Sequence, residues 1–387
     1  MRRYVLILCA AVLLGCTSGY GSTRFGGKGL IYVNSAKVLK QGNLWFFGGT
    51  RFFGKVATGA SAYTLWNVQG FSSLNYGINK NLEFGISPIF YQDTNSGDGN
   101  VLDGKGNAPD DMYIHFKIGS IGAEESPYLF GAHLYTRIPT GKDHNIIYEP
   151  YSAGTVEVGI TGLASYYSNT VFPDEGWSLH ANLGYLNHND VGEELTSNAS
   201  DPKPQSMSTE FLAGIGFRYP AGTFDFSLEL NARTFLTKPP VTAYSREYCS
   251  YLTYGIYYKP YQWITFEMGV DIRLMSGEES SDWETTSLDA PPANFPNYPS
   301  WRGLLGVKLA ILPTSLYASK EKAQVEKKTE AQKQLLQRMM DDQINTKNAD
   351  DQLLKIKAER EKVEKELERL RKLLEENKKK KQDPKKK

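Results

Sequence analysis

Residues 224 to 235 read FDFSLELNARTF, in which Phe224, Phe226, Leu228, Leu230 and Ala232 alternate with Asp225, Ser227, Glu229, Asn231 and Arg233. A period of two belongs to a strand whose two faces meet different surroundings, one apolar and one polar. The same template divides residues 42 to 311 into twelve stretches, near 43–53, 63–78, 82–92, 111–121, 128–138, 154–167, 176–187, 207–219, 224–236, 246–258, 264–275 and 300–311. Most are longer than an ordinary globular strand and match the length that crosses a bilayer at a tilt.

The connections carry a second pattern. Tight turns at 79–81, 122–127, 169–175, 220–222 and 260–263 alternate with longer polar loops at 93–110, 139–153, 188–206, 237–245 and 276–299. Outer-membrane barrels have short periplasmic turns, longer external loops and an even strand number, so this order predicts an all-β, 12-stranded antiparallel transmembrane barrel with both termini periplasmic. Rings at the stretch ends fit two membrane interfaces, with Trp66, Phe90 and Trp301 at the outer side and Tyr76, Trp177, Tyr219, Phe224 and Tyr258 at the periplasmic side. Pro88 interrupts a ladder and is read as a bulge near the outer rim. A soluble β-barrel ligand binder with no channel activity is the alternative.

The stretch GKGLIYVNSAKVLKQGNLWFFGGTRF (27–52), followed by LNYGINKNLEFGISPIF (74–90), resembles the opening hairpins of bacterial outer-membrane barrels of the porin and outer membrane protein A type. The resemblance is one of pattern, and it implies fold and envelope location more than activity. Two departures stand out. The last strand ends Leu309, Ala310, Ile311 where that family's assembly signal usually carries a terminal aromatic, and no peptidoglycan-binding domain follows.

Composition divides the chain near Ala318. Residues 319 to 387 hold 22 Lys+Arg against 15 Asp+Glu and no aromatic residue, so the preceding part carries all the rings and a net negative charge. The overall charge of +1 gives no reason to expect a nucleic-acid partner. The opening MRRYVLILCAAVLLGCTSG is built like a secretory signal peptide, placed at 1–22, and LLGC at 13–16 resembles a lipobox that would acylate Cys16. The barrel is then expected at 23–318, a helical coiled-coil tail at 319–377 and a disordered lysine-rich end at 378–387. In the tail Leu353, Ile356, Val363, Leu367, Leu370 and Leu374 keep a and d spacing. Self-association through 353–374, pairing with a periplasmic protein, attachment to peptidoglycan and a lone charged helix all remain open.

Inside the predicted barrel, strand phase turns Glu83, Glu157, Glu210, Asp225, Glu229, Glu267 and Asp271 inward, against Arg51, Lys117, Arg137, Arg218, Arg233, Arg273, Arg302 and Lys308. A selective pore gathers one sign at its constriction. Near balance instead predicts a lumen crossed by ion pairs, in a passive small-solute channel or an envelope scaffold embedded in outer-membrane lipid. An outer-membrane enzyme is the reading from another class. His115 and His133 face inward beside Lys117, but they form only a weak metal or proton-relay candidate. No nucleophile elbow, zinc-protease motif, phosphate loop or dinucleotide fingerprint occurs, so neither a cofactor nor a catalytic set is expected.

Overall fold

The computed structural model describes residues 26–57, 63–97, 105–123, 126–289, 297–313, 361–362 and 365. Its strands are β1 (Leu44–Ala57), β2 (Tyr63–Gly77), β3 (Leu82–Gly97), β4 (Lys105–Asn107), β5 (Met112–Ile121), β6 (Tyr128–Ile138), β7 (Glu157–Tyr167), β8 (Ser178–Asn187), β9 (Thr209–Ala221), β10 (Phe224–Thr237), β11 (Cys249–Tyr261), β12 (Ile264–Ser276) and β13 (Trp301–Leu312). Short β4 and β5 lie end to end along β3, β4 pairing Asn107 with Gln92 and β5 pairing Ile118 with Leu82, and together they make one stave. The result is a twelve-stave antiparallel barrel, closed because β1 pairs with β13 as well as with β2, and β2 with β3. Closure gives every stave a neighbour on both sides, with the short β4 paired to β3 alone among the described residues.

Each stave falls on one of the twelve predicted stretches. The bulge lies two residues beyond Pro88: Phe71 pairs with Ile89 and Gly70 with Tyr91, so Phe90 is the extra residue. Pro88 itself stands opposite Met112. Leu44 pairs with both Tyr76 and Leu312, so the chain enters β1 and leaves β13 at the rim of the tight turns.

Burial alternates as the sequence does. In β7, Glu157, Thr161 and Ser165 are buried while Val158 and Ile160 are exposed; in β12, Thr265, Glu267 and Asp271 are buried while Phe266, Met268, Val270 and Ile272 are exposed. The polar residues thus face the interior and the apolar ones the surroundings, the reverse of a soluble barrel. No helix among the described residues is long and apolar enough to cross a membrane.

Residues 27–43, part of the stretch that resembles an opening hairpin, form no barrel strand. They thread the interior instead. Their backbone N–H groups donate to inward side chains of five staves: Ile31, Tyr32 and Val33 to the Glu229 carboxylate of β10, Asn34 to Asn182 of β8, Ala36 to Ser165 of β7, Val38 to Ser120 of β5, and Leu39 to Glu83 of β3. Only a segment within the barrel can reach partners on so many walls. At its start, Lys117 and Lys308 donate to the carbonyls of Lys28 and Gly27. Ile31 packs with Phe47, Phe71, Ile89 and Leu304, inward-facing apolar residues that a purely aqueous lumen would not call for. Two inward glycines make the space. A Cβ on Gly119 would lie 2.2 Å from the carbonyl oxygen of Ala36, and one on Gly216 2.4 Å from Leu30 Cδ1.

The chain divides into two compact units, Met1–Lys320 and Glu321–Lys387. In the second, Glu361, Lys362 and Lys365 are described; their backbone is helical, and Lys365 Nζ lies 3.3 Å from the Glu361 carboxylate. The signal segment, Cys16 and the rest of the expected coiled coil lie outside the described residues.

Candidate functional site

All the inward charges named from strand phase are buried or half-buried: Glu83, Lys117, Arg137, Glu157, Glu210, Arg218, Asp225, Glu229, Glu267, Asp271 and Lys308 are buried, while Arg233, Arg273 and Arg302 are half-buried. Their partners differ from the sequence reading. Ion pairs run along the wall between neighbouring staves rather than across the lumen. Arg137 reaches Asp111 at 2.6 Å and Glu157 at 3.5 Å, His188 bridges Glu157 at 3.0 Å and Glu210 at 3.3 Å, and Arg233 completes the girdle by pairing with Glu210. Asp225 is shared by Lys259 at 2.5 Å and Arg218 at 3.7 Å, and Arg302 binds Asp271 at 2.9 Å. The physical reason is spacing. Inward side chains on adjacent staves stand within reach of each other, whereas opposite walls are separated by the inner segment.

His115 and His133 do come together, with ring centroids 5.2 Å apart, but the register sets His115 opposite Tyr135 and Lys117 opposite His133. His115 Nε2 is 3.1 Å from the Ser87 hydroxyl. Among the described residues no group of three or more His, Cys, Asp or Glu could hold a metal ion.

Above the inner segment lies a chamber of about 260 Å³. Tyr32 and Asn34 of that segment form one end, Tyr148, Glu149 and Tyr151 of the β6–β7 loop and Tyr298 before β13 contribute to the other, and the Glu157–Glu210–Arg233 part of the girdle lines the side. The guanidinium of Arg302 stacks on Tyr251, 4.0 Å from its centroid, and Tyr32 donates its hydroxyl to Asp271 at 2.6 Å. Arg51 also lines the chamber, is 4 % exposed, and its Nε has no hydrogen-bond partner among the described residues. Glu149 is buried nearby, and burial, with Asp110 adding, raises its carboxyl well above the usual carboxylate range.

The long loops above the chamber are fastened together. Asn145 donates to the carbonyls of Leu195 and Thr242 and accepts from the Tyr244 N–H, joining three loops. Glu247 accepts from the Ser280 N–H and from the Asn297 amide, and Tyr298 donates to the Glu247 carbonyl. Glu279 accepts from the Asn297 N–H, and burial together with Glu247 pushes its carboxyl up to about 7.

Sequence reasoning missed several of these groups. Lys259 and His188 stand one inward step beyond the expected ends of their strands, and extending the alternation from Tyr257 and Leu186 by two residues finds both. Tyr32, Glu149 and Tyr298 left no such signal.

The chain matches no family model and no curated protein sequence. Solved structures to which it is similar include the COG4313 outer membrane channel from Pseudomonas putida F1, at 13% identity over 71% of this chain and 98% of that one, TM-score 0.47. Others are the NanC porin, at 9% identity over 69% and 98%, TM-score 0.41, and the translocator domain of the autotransporter NalP from Neisseria meningitidis, at 11% identity over 70% and 89%, TM-score 0.36. No residue role passes from these distant likenesses to this chain, whose closed barrel stands on its own strand pairing.

Proposed function

We propose that the protein is an outer-membrane barrel acting as a passive small-solute channel, gated by residues 27–43 and tethered on its periplasmic side by a helical tail. The observation that carries this reading is the chamber within the lumen, lined by polar and aromatic side chains and bounded on one side by the inner segment. The apolar outer face and the rings at its two ends fit a bilayer. Occlusion by the inner segment also favours a second reading, an envelope scaffold that conducts nothing.

Two measurements test this. The protein should sediment with outer membranes and migrate differently on gels before and after boiling; recovery as a soluble periplasmic monomer would end the membrane reading. In a planar bilayer the unmodified barrel should give small or infrequent openings. Silence that persists after the inner segment is loosened would leave the scaffold.

A further inference from the structure

The chamber's unmatched groups define what it would hold. Among the described residues, the buried lining atoms without a hydrogen-bond partner include the donors Arg51 Nε, Asn231 Nδ2 and Arg233 Nε and the carboxylate oxygens Glu149 Oε1 and Glu210 Oε2. Arg137, Arg233 and Arg302 have their charges met by Asp111 and Glu157, by Glu210 and by Asp271, while Arg51 has no ion pair among the described residues. Glu210 does not offset it, because Arg233 and His188 already answer that carboxylate. Glu149, the remaining acid in the lining, makes no ion pair with Arg51 among the described residues; burial raises its carboxyl while Arg137 and Arg51 lower it. The site therefore carries one buried guanidinium with no ion pair among the described residues, beside the rings of Tyr32, Tyr135 and Tyr151. A buried cation without a counter-charge is costly, and a carboxylate meets a guanidinium with two parallel hydrogen bonds.

We propose that the chamber is a binding site for a compact organic carboxylate with a planar apolar body, anchored on Arg51. Size sets the limit. A cavity of about 260 Å³ admits a small organic molecule. The apolar body lies against the tyrosine faces, and Asn231 and Arg233 supply the remaining donors. This inference rests on the barrel's being a channel only for the route by which the ligand arrives; binding itself does not depend on conductance.

The test is calorimetric titration of the full chain in detergent with benzoate, benzyl alcohol and benzylammonium, three probes of similar shape and different charge. Benzoate should bind saturably, with the alcohol and the cation at least tenfold weaker. Arg51→Gln should weaken benzoate by tenfold or more while the barrel keeps its heat-modifiable migration. Equal affinity for benzoate and benzyl alcohol, no benzoate binding, or an unaffected Arg51→Gln barrel would each overturn the assignment. If that variant does not fold, the discrimination among probes by the unmodified protein decides alone. Binding without conductance would reject the channel and keep the site; conductance without binding would do the reverse.

Discussion

Glu229 of β10 holds the turn of the inner segment. Its carboxylate accepts three consecutive backbone N–H groups, from Ile31, Tyr32 and Val33, each at 2.8 Å, and so gives the turn of the inner segment an anion to close around. In sequence Glu229 is one inward acid among seven, indistinguishable by strand phase from Glu267. What separates them is a partner 196 to 198 residues away, and spacing along one strand holds no trace of that. Glu229→Leu strands three buried donors, a loss of about 3 kcal/mol or more to the docked segment. The barrel ladder should survive, since the outward positions and the strand hydrogen bonds are untouched. Planar-bilayer recordings should then show larger or longer openings than the unmodified protein, with heat-modifiable migration retained. Unchanged recordings would mean that Glu229 is not the latch.

At the scale of elements, the staves were legible and the inner segment was not, for one reason. A stave repeats the same contrast of surroundings every second residue, so its pattern is local. Residues 27–43 have a strand-like run, LIYVNSAKVL, but their N–H groups find Glu229, Asn182, Ser165, Ser120 and Glu83 instead of a neighbouring strand. Inward glycines and inward apolar residues such as Phe47 and Leu304 are the clues the staves hold to a chain passing close by. Gly119→Val would drive a side chain into the Ala36 carbonyl, and overpacking of this kind costs about 1–3 kcal/mol. Such a variant should keep the barrel while exposing residues 27–43 to added protease and raising conductance; identical protease protection would show that the segment is held elsewhere. The long loops form a separate element with its own pH response. Glu279, half-buried beside Glu247, binds its proton more tightly in the folded loops than in an unfolded chain, at about 7 against the ordinary 4.5. The sign follows: the fastened loops gain stability as pH falls from above 7 toward 4.5, and lose it as pH rises through 7. Hydrogen exchange at Ser280 and Asn297, corrected for intrinsic rate, should slow between pH 8 and pH 5, and Glu279→Gln should flatten that dependence. A flat profile in the unmodified protein would refute the coupling.

For the molecule as a whole, an even number of staves has a consequence that no single strand carries: the chain leaves β13 at the rim where it entered β1, beside the tight turns. If those turns are periplasmic, as short turns are in outer-membrane barrels, residues 319 onward emerge toward the cell wall. At 1.5 Å per residue, a continuous helix over 319–377 would extend about 90 Å. Beyond residue 377, KKKKQDPKKK places seven lysines after a segment whose own charges nearly cancel. Such a cluster would be drawn to the anionic wall over a distance set by salt, a Debye length of about 8 Å at physiological ionic strength. Deleting 378–387 should therefore leave assembly and heat-modifiable migration unchanged but lower the fraction of protein that sediments with purified peptidoglycan. Added salt should lower that fraction for the full chain in the same way. If the shortened and full chains sediment alike at every salt concentration, the lysines do not hold the wall. The tail would then act through the a and d residues of 353–374, as an oligomerisation helix or a spacer.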